Sequence, residues 1–236
     1  MRTTTIEARD TAEQRPAQTP LVECIEVSRT FGPHAEVTAV RGVTCRIDRD
    51  ARVALTGPSG SGKSTLLHLM AGLEAPTSGV VRWPGFADPP RSRPCMIGLV
   101  FQGPSLVPAL NVIENVALPL LLAGTDEHAA VEHAAAALDR LTIGGLGSKL
   151  PEQLSGGQAQ RVAVARVLAS RPRLILADEP TGQLDHATAE TVVSVLLAAA
   201  RELRSALVIS THDPLVAAHL PVRWAMSDGE ISQDRS

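Results

Sequence analysis

The stretch Gly57-Pro58-Ser59-Gly60-Ser61-Gly62-Lys63-Ser64 constrains this chain more than any other. It follows the short apolar run Val53–Thr56 and precedes a helical run, Ser64–Ala71, that Gly72 ends. The pattern G-x-x-x-x-G-K-[ST] in that setting wraps consecutive backbone N–H groups around an anion, while the following helix points its positive N-terminus at the same charge. Gly57, Pro58, Ser59, Gly60, Ser61, Gly62, Lys63, Ser64 and Thr65 are therefore candidates to hold a nucleotide's phosphates. Lys63 would reach the β- and γ-phosphates, and the Ser64 hydroxyl would ligate Mg²⁺. The plain alternative is a Gly/Ser turn with an incidental lysine; the flanking strand and helix weigh against it.

From Leu21 onward, short apolar runs alternate with helical stretches, which predicts an α/β fold around a mostly parallel sheet. Leu21–Val27 and Val43–Ile47 read as strands with one exposed face, Ile97–Phe101, Arg173–Ala177 and Ala206–Ser210 as further strands, and Ala189–Leu203 as a helix. Residues 75–94, rich in Pro and Gly, suit turns and edge structure. Thr125 is a candidate cap for a helix with Asp126 and Glu127 in its first turn and an apolar stripe of Ala130, Ala134, Ala137, Leu138 and Leu141. Residues 1–20, polar and charged, read as a disordered leader, and 21–236 as one domain.

Composition removes several functions. Among 236 residues, 22 Lys+Arg oppose 25 Asp+Glu, so there is no electrostatic footprint for nucleic acid. Five aromatic rings, three Phe and two Trp with no Tyr, make a base-stacking platform improbable. No run approaches the roughly 18 to 20 apolar residues that span a bilayer. Cys24, Cys45 and Cys95 lack metal or disulfide spacing and read as ordinary buried residues of a reduced, intracellular chain. His128, Glu132 and His133 share a helix but read as a solvated face; His34, His186 and His219 have no motif context, and His68 reads as packing or surface.

A second half of the site lies downstream. Leu174-Ile175-Leu176-Ala177-Asp178-Glu179 puts two carboxylates where a buried strand ends, which is where open α/β sheets bind ligands. Asp178 can hold the Mg²⁺ hydration shell and Glu179 can act on an attacking water. Leu154-Ser155-Gly156-Gly157-Gln158 precedes the helical run Ala159–Ala169, with Ser155 suited to cap it. Two glycines at a helix start form a second anion-binding surface, surplus to one nucleotide and so suited to a nucleotide held by another subunit. Taken alone, a flexible Gly-Gly linker with a Ser cap is the plainer reading.

The sequence Leu154-Ser155-Gly156-Gly157-Gln158, placed 20 residues before Asp178, resembles the signature of ABC-type ATPases, and the resemblance covers the chain from residue 21. It implies an ABC-type P-loop fold with a mostly parallel core sheet, an N-terminal antiparallel β-subdomain and a helical signature subdomain at about 103–170. It also implies that Gln102 resembles the Q-loop glutamine, a contact to ATP and Mg²⁺. Asp185 in Thr181-Gly182-Gln183-Leu184-Asp185 resembles the D-loop, His212 the switch histidine that senses the γ-phosphate, and Phe31 the ring against adenine. The resemblance implies ATP and Mg²⁺ as ligands. It implies Glu179, His212 and Lys63 as the catalytic group, and Ser155, Gly156, Gly157, Gln158 and Asp185 as contacts to ATP in trans.

The expected assembly is a homodimer or paired ABC subunit around two ATP, at the cytoplasmic face of the cell membrane, driving a transmembrane permease. Leu106, Val107, Leu110, Val112 and Ile113 are candidates for its docking surface or for a plain subdomain core. Glu114-Asn115-Val116 with Leu118-Pro119, and Ala177 to Gly182, are most similar to the lipoprotein-releasing and macrolide- or peptide-exporting branch. Gln183 stands where that branch has Asn, and segment 81–96 is short. A soluble ABC-type ATPase acting on DNA or ribosomes is the alternative; a single nucleotide-binding unit, no long coiled coil and neutral charge argue against it.

Overall fold

The structure, a computed structural model, describes residues 19–32, 37–87, 95–182 and 184–234. Chain order is β1 (Val22–Phe31), β2 (Val37–Ile47), β3 (Arg52–Thr56), α1 (Lys63–Met70), β4 (Ser78–Arg82), β5 (Ile97–Val100), α2 (Val112–Leu122), α3 (Glu127–Arg140), α4 (Gly156–Ala169), β6 (Leu174–Asp178), α5 (His186–Glu202), β7 (Ala206–Thr211), α6 (Pro214–Ala218), β8 (Val222–Ser227) and β9 (Glu230–Asp234).

Strands β6 and β7 are buried at every position, which suits only a parallel sheet covered on both faces. That sheet has the order β5-β6-β7-β3-β8-β9, parallel throughout except for the last pair. Alternation along its strands divides the core in two. Val53, Leu55, Leu174, Leu176, Ala206 and Val208 face one cluster with Leu66, Leu67, Leu69 and Met70 of α1. Ala54, Ile175, Ala177, Leu207 and Ile209 face a second cluster, with α5 and the helical group α2, α3 and α4. The three-stranded antiparallel sheet β2-β1-β4 closes the first cluster through Val22, Cys24, Val27, Val43, Cys45 and Ile47. The expected layers are thus present: a mostly parallel sheet, an antiparallel sheet and a helical group.

Local differences have local causes. β1 and β2 run further than their apolar cores, pairing as far as Phe31 with Val37. β4 lies within the Pro-rich segment, as an edge strand. Helix α3 is capped by Asp126 rather than Thr125: its Oδ1 accepts from the His128 and Ala129 amides, while the Thr125 amide donates to Leu120 O and closes α2. Helix α5 starts at His186, ahead of the apolar stripe, because Asp185 caps it. Helix α4 includes both glycines after Ser155. The β8–β9 hairpin, turned at Asp228-Gly229, follows from no strong alternation in the sequence. Most of the segment read as a leader, together with His34, Pro89, Pro90, Pro94 and Gln183, lies outside the described residues.

Candidate nucleotide site

Strands β6, β7 and β3 are neighbours, and their registers place Asp178 opposite Ser210 and Thr56 opposite Thr211. Their carboxyl ends therefore deliver Asp178-Glu179, His212 and the glycine-rich loop to one crevice.

The loop is held against the hairpin and β2 by glycines. At Gly62 (φ 105°) a Cβ would overlap Ala39 O, and at Gly57 (φ 151°) it would overlap Met226 O. The Gly229 amide donates to Ser61 O at 3.1 Å and braces the turn from outside. Among the six described α-helices, five have a side-chain cap: Asn111, Asp126, Ser155, Asp185 and Asp213. Helix α1 has none; its N-cap is Gly62, and no acidic residue stands in its first turn. Its first amides, on Lys63, Ser64 and Thr65, are left without the acceptor that every other helix supplies to itself. Lys63 is 4% exposed, and its Nζ donates to Gly57 O and Pro58 O, both at 2.9 Å, folding the cation back over the loop.

Glu179 joins this cation to the end of β7. Its Oε1 lies 3.5 Å from Lys63 Nζ and its Oε2 3.3 Å from His212 Nδ1. Its backbone has φ 43°, a left-handed conformation that a glutamate holds only where the surroundings fix it. The fixing group is Ser210: the Glu179 amide donates to Ser210 Oγ at 2.9 Å and to Ser210 O at 3.1 Å. The same hydroxyl donates to Asp178 Oδ1 at 2.6 Å. Ser210 is fully buried and was not singled out from the sequence; its signal there is a hydroxyl closing an otherwise apolar strand. Asp178 itself is 4% exposed.

The remaining site residues lie at the surface. Ser155 caps α4 through a reciprocal pair with Gln158: Ser155 Oγ accepts from the Gln158 amide at 3.3 Å and Gln158 Oε1 from the Ser155 amide at 3.0 Å. Gly156 is exposed, and a Cβ on Gly157 would touch Leu184 at 3.4 Å, so the signature lies beside Leu184-Asp185 in the same chain. Asp185 is held below the usual carboxylate range by bonds from the Thr188 amide and hydroxyl. His212 is 63% exposed and Gln102 is exposed. Phe31 ends β1 with its ring 37% exposed, and the Arg29 guanidinium stands 4.6 Å from its centroid, itself tied to Glu74 at 2.7 Å. One face of that ring is therefore occupied by a cation from its own strand.

Of the apolar residues after Gln102, Val112 is fully buried and belongs to the core, Leu106 and Ile113 pack against it, and Val107 is exposed. Asn115 is fully buried and pins this segment. It accepts from the Val107 amide at 2.8 Å and donates to Val107 O, Leu110 O and Asn111 O at 3.1, 2.8 and 3.0 Å. The aromatic rings left without a role are structural. Trp83 Nε1 donates to Met70 O at the end of α1, Phe86 lies under the Arg173 guanidinium, and Trp224 is buried in β8. Phe101 is half-buried, edge-on to His68. His128 and Glu132 face solvent as an exposed pair. Cys24 and Cys45 are buried opposite one another in β1 and β2, with the Cys45 thiol pushed up by its contact with Cys24 and by burial; Cys95 is only half-buried.

The family model for the ABC transporter matches residues 40–182, more than half of the chain, and the chain belongs to that family. It is an ABC-type ATPase, a nucleotide-binding subunit. The lipoprotein-releasing system ATP-binding protein LolD of Shewanella denitrificans is 39% identical over 230 residues, covering 94% of this chain and 99% of that protein. The macrolide export ATP-binding/permease protein MacB of Rhodospirillum rubrum is 41% identical over 223 residues, 91% of this chain but 34% of that longer protein. Among solved structures, the dimeric post-hydrolysis state of the ATP-binding cassette MJ0796 bound to ADP and Pi superposes with a TM-score of 0.83 at 34% identity, covering 90% of this chain and 97% of that one.

Proposed function

We propose that the chain binds ATP along Gly57–Thr65 and hydrolyses it between two subunits, driving a transmembrane partner of the lipoprotein-release or macrolide-export kind. The observation that carries this reading is the uncapped start of α1. Five of the described α-helices engage at least one first-turn amide with a cap side chain, and the one that does not begins at Lys63, with Glu179 3.5 Å away. An anionic phosphate is the acceptor that arrangement lacks.

In this reading, the phosphates take Lys63 from the loop carbonyls, Glu179 polarises the attacking water, and His212 stabilises the transferring phosphoryl group. The donors near the phosphates fit Mg²⁺: Ser64 offers a hydroxyl, and Asp178 a carboxylate with one oxygen already oriented by Ser210. Gln102 completes the set from the loop after β5. When bound, Mg²⁺ supplies charge neutralisation at the β- and γ-phosphates. Phe31 takes adenine on the ring face that Arg29 leaves open. Ser155, Gly156, Gly157, Gln158 and Asp185 meet the nucleotide of the second subunit, a like copy or a paired ABC subunit.

The partner would be a membrane permease met through residues 103–122, with the chain peripheral at the cytoplasmic face. No described helix is long and apolar enough to cross a membrane. Affinity capture from detergent-solubilised membranes tests this assembly. Recovery of a polytopic membrane protein is expected; recovery of nucleic acid alone would overturn it.

A further inference from the structure

Gln102 is exposed and makes no side-chain bond among the described residues, yet the chain on either side of it is gripped by a single helix. Before it, Gln160 of α4, 3% exposed, donates from Nε2 to Phe101 O at 3.2 Å. After it, Arg166 of α4 donates from Nη1 to Ser105 O at 2.9 Å and from Nη2 to Pro104 O at 3.4 Å. These two residues lie about 9 Å apart along the helix axis, so they bracket the loop rather than touch it at one point. Between the grips, a Cβ added at Gly103 would meet nothing within 4 Å, so open space borders the loop at Gln102-Gly103.

The grip is costly in electrostatic terms, which marks it as more than surface decoration. The Arg166 guanidinium donates to carbonyls and pairs with no carboxylate among the described residues; burial lowers its pKa. Gln160 Oε1 is buried without a partner. The sheet holds the loop less firmly: β5 is an edge strand, paired only with β6, and ends at Val100. Helix α1 meets the loop at the Phe101 ring, edge-on to His68 with centroids 5.9 Å apart. The helix that grips the loop is also the helix whose N-terminus carries the exposed Ser155 and Gly156.

We propose that Gln160 and Arg166 are positioning residues that make the loop carrying Gln102 follow helix α4, so that docking of its Ser155 end on a second subunit's nucleotide resets Gln102 in its own subunit. This rests on the two-subunit reading above. Helix α4 is one rigid rod of 14 residues, so displacement at its capped end reaches Gln160 and Arg166 with little loss.

Hydrogen exchange in the Glu179→Gln background, with and without ATP, tests it. The parent is expected to gain protection, about tenfold slower exchange, at both 155–158 and 101–106. Arg166→Ala keeps the gain at 155–158 and loses it at 101–106; Arg166→Lys, able to reach one carbonyl, restores part of it. Gln160→Leu gives the same split and serves where Arg166→Ala folds poorly. If Arg166→Ala and Gln160→Leu both keep the gain at 101–106, the proposal is wrong while the two-subunit reading stands. Loss at both segments marks a merely structural role and also overturns it. Absence of any gain at 155–158 in the parent defeats the two-subunit reading, and the relay with it.

Discussion

The two halves of the candidate nucleotide site are built on opposite plans. On the phosphate-loop side, Lys63 and Asp178 are each 4% exposed, and Lys63, Glu179, Ser210 and Asp178 are joined by contacts of 2.6 to 3.5 Å within one chain. On the signature side, Ser155, Gly156 and Asp185 stand exposed, and the side-chain bonds of Ser155 and Asp185 go to their own helices. The first half is assembled by folding alone. The second is an exposed surface whose caps are satisfied within their own helices. In the proposed function, that asymmetry makes ATP the part that joins two copies.

Substitutions on the two sides should therefore fail differently, and the largest effect separates them. Lys63→Ala is expected to lower ATPase turnover about a hundredfold or more and to weaken nucleotide binding by a single subunit, measured by fluorescent ATP titration. Ser155→Asp keeps a good helix cap but, in the proposed dimer, sets a carboxylate against the γ-phosphate of the nucleotide held by the second subunit. Turnover should fall by a similar factor while single-subunit binding stays within about twofold. Equal loss of binding in both variants would erase the distinction between the halves.

Ser210→Ala probes how the buried half is positioned. It removes the 2.6 Å bond that orients Asp178 but keeps the Glu179 amide bonded to the residue 210 carbonyl. The expected cost is roughly 1–3 kcal/mol in urea unfolding, with a rise in the Mg²⁺ concentration needed for half-maximal turnover. Unchanged Mg²⁺ dependence would mean that Asp178 is not a metal contact. Smallest is Phe31→Ala, at the exposed end of β1. A stacked base is worth about 1–3 kcal/mol, and Arg29 already occupies one ring face, so ATP affinity should fall toward the low end, roughly five- to tenfold. No change in affinity would remove adenine from that ring and leave the phosphate site untouched.

What could be read from the sequence follows the same division. The phosphate loop, the Asp178-Glu179 pair and the signature are legible because their chemistry is local: glycines, a cation and hydroxyls within eight positions, or a cap and two glycines at one helix start. The parallel core was legible for the same reason, since strands buried on both faces are continuous apolar runs. Ser210, Gln160 and Arg166 carry no local motif, because their meaning lies in a partner elsewhere. Ser210 serves Asp178 from 32 residues away, and Gln160 reaches Phe101 across 59. Asn115 stands in the Glu114-Asn115-Val116 motif, but its part as an anchor of the segment after Gln102 shows only in its bonds to Val107, Leu110 and Asn111. The cap of α3 was misassigned by one residue because Thr125 and Asp126 are both good caps, and the choice falls to the turn that ends α2.

The central claim is that one half of the site is complete in each chain and the other is supplied by a second. Glu179→Gln removes the group that would act on water while keeping its size. Size-exclusion chromatography with light scattering, run with Mg²⁺ and either ATP or ADP, tests that claim. A stable dimer with ATP and a monomer with ADP is the predicted result. A variant that binds ATP and remains monomeric would contradict the two-chain site for this subunit on its own.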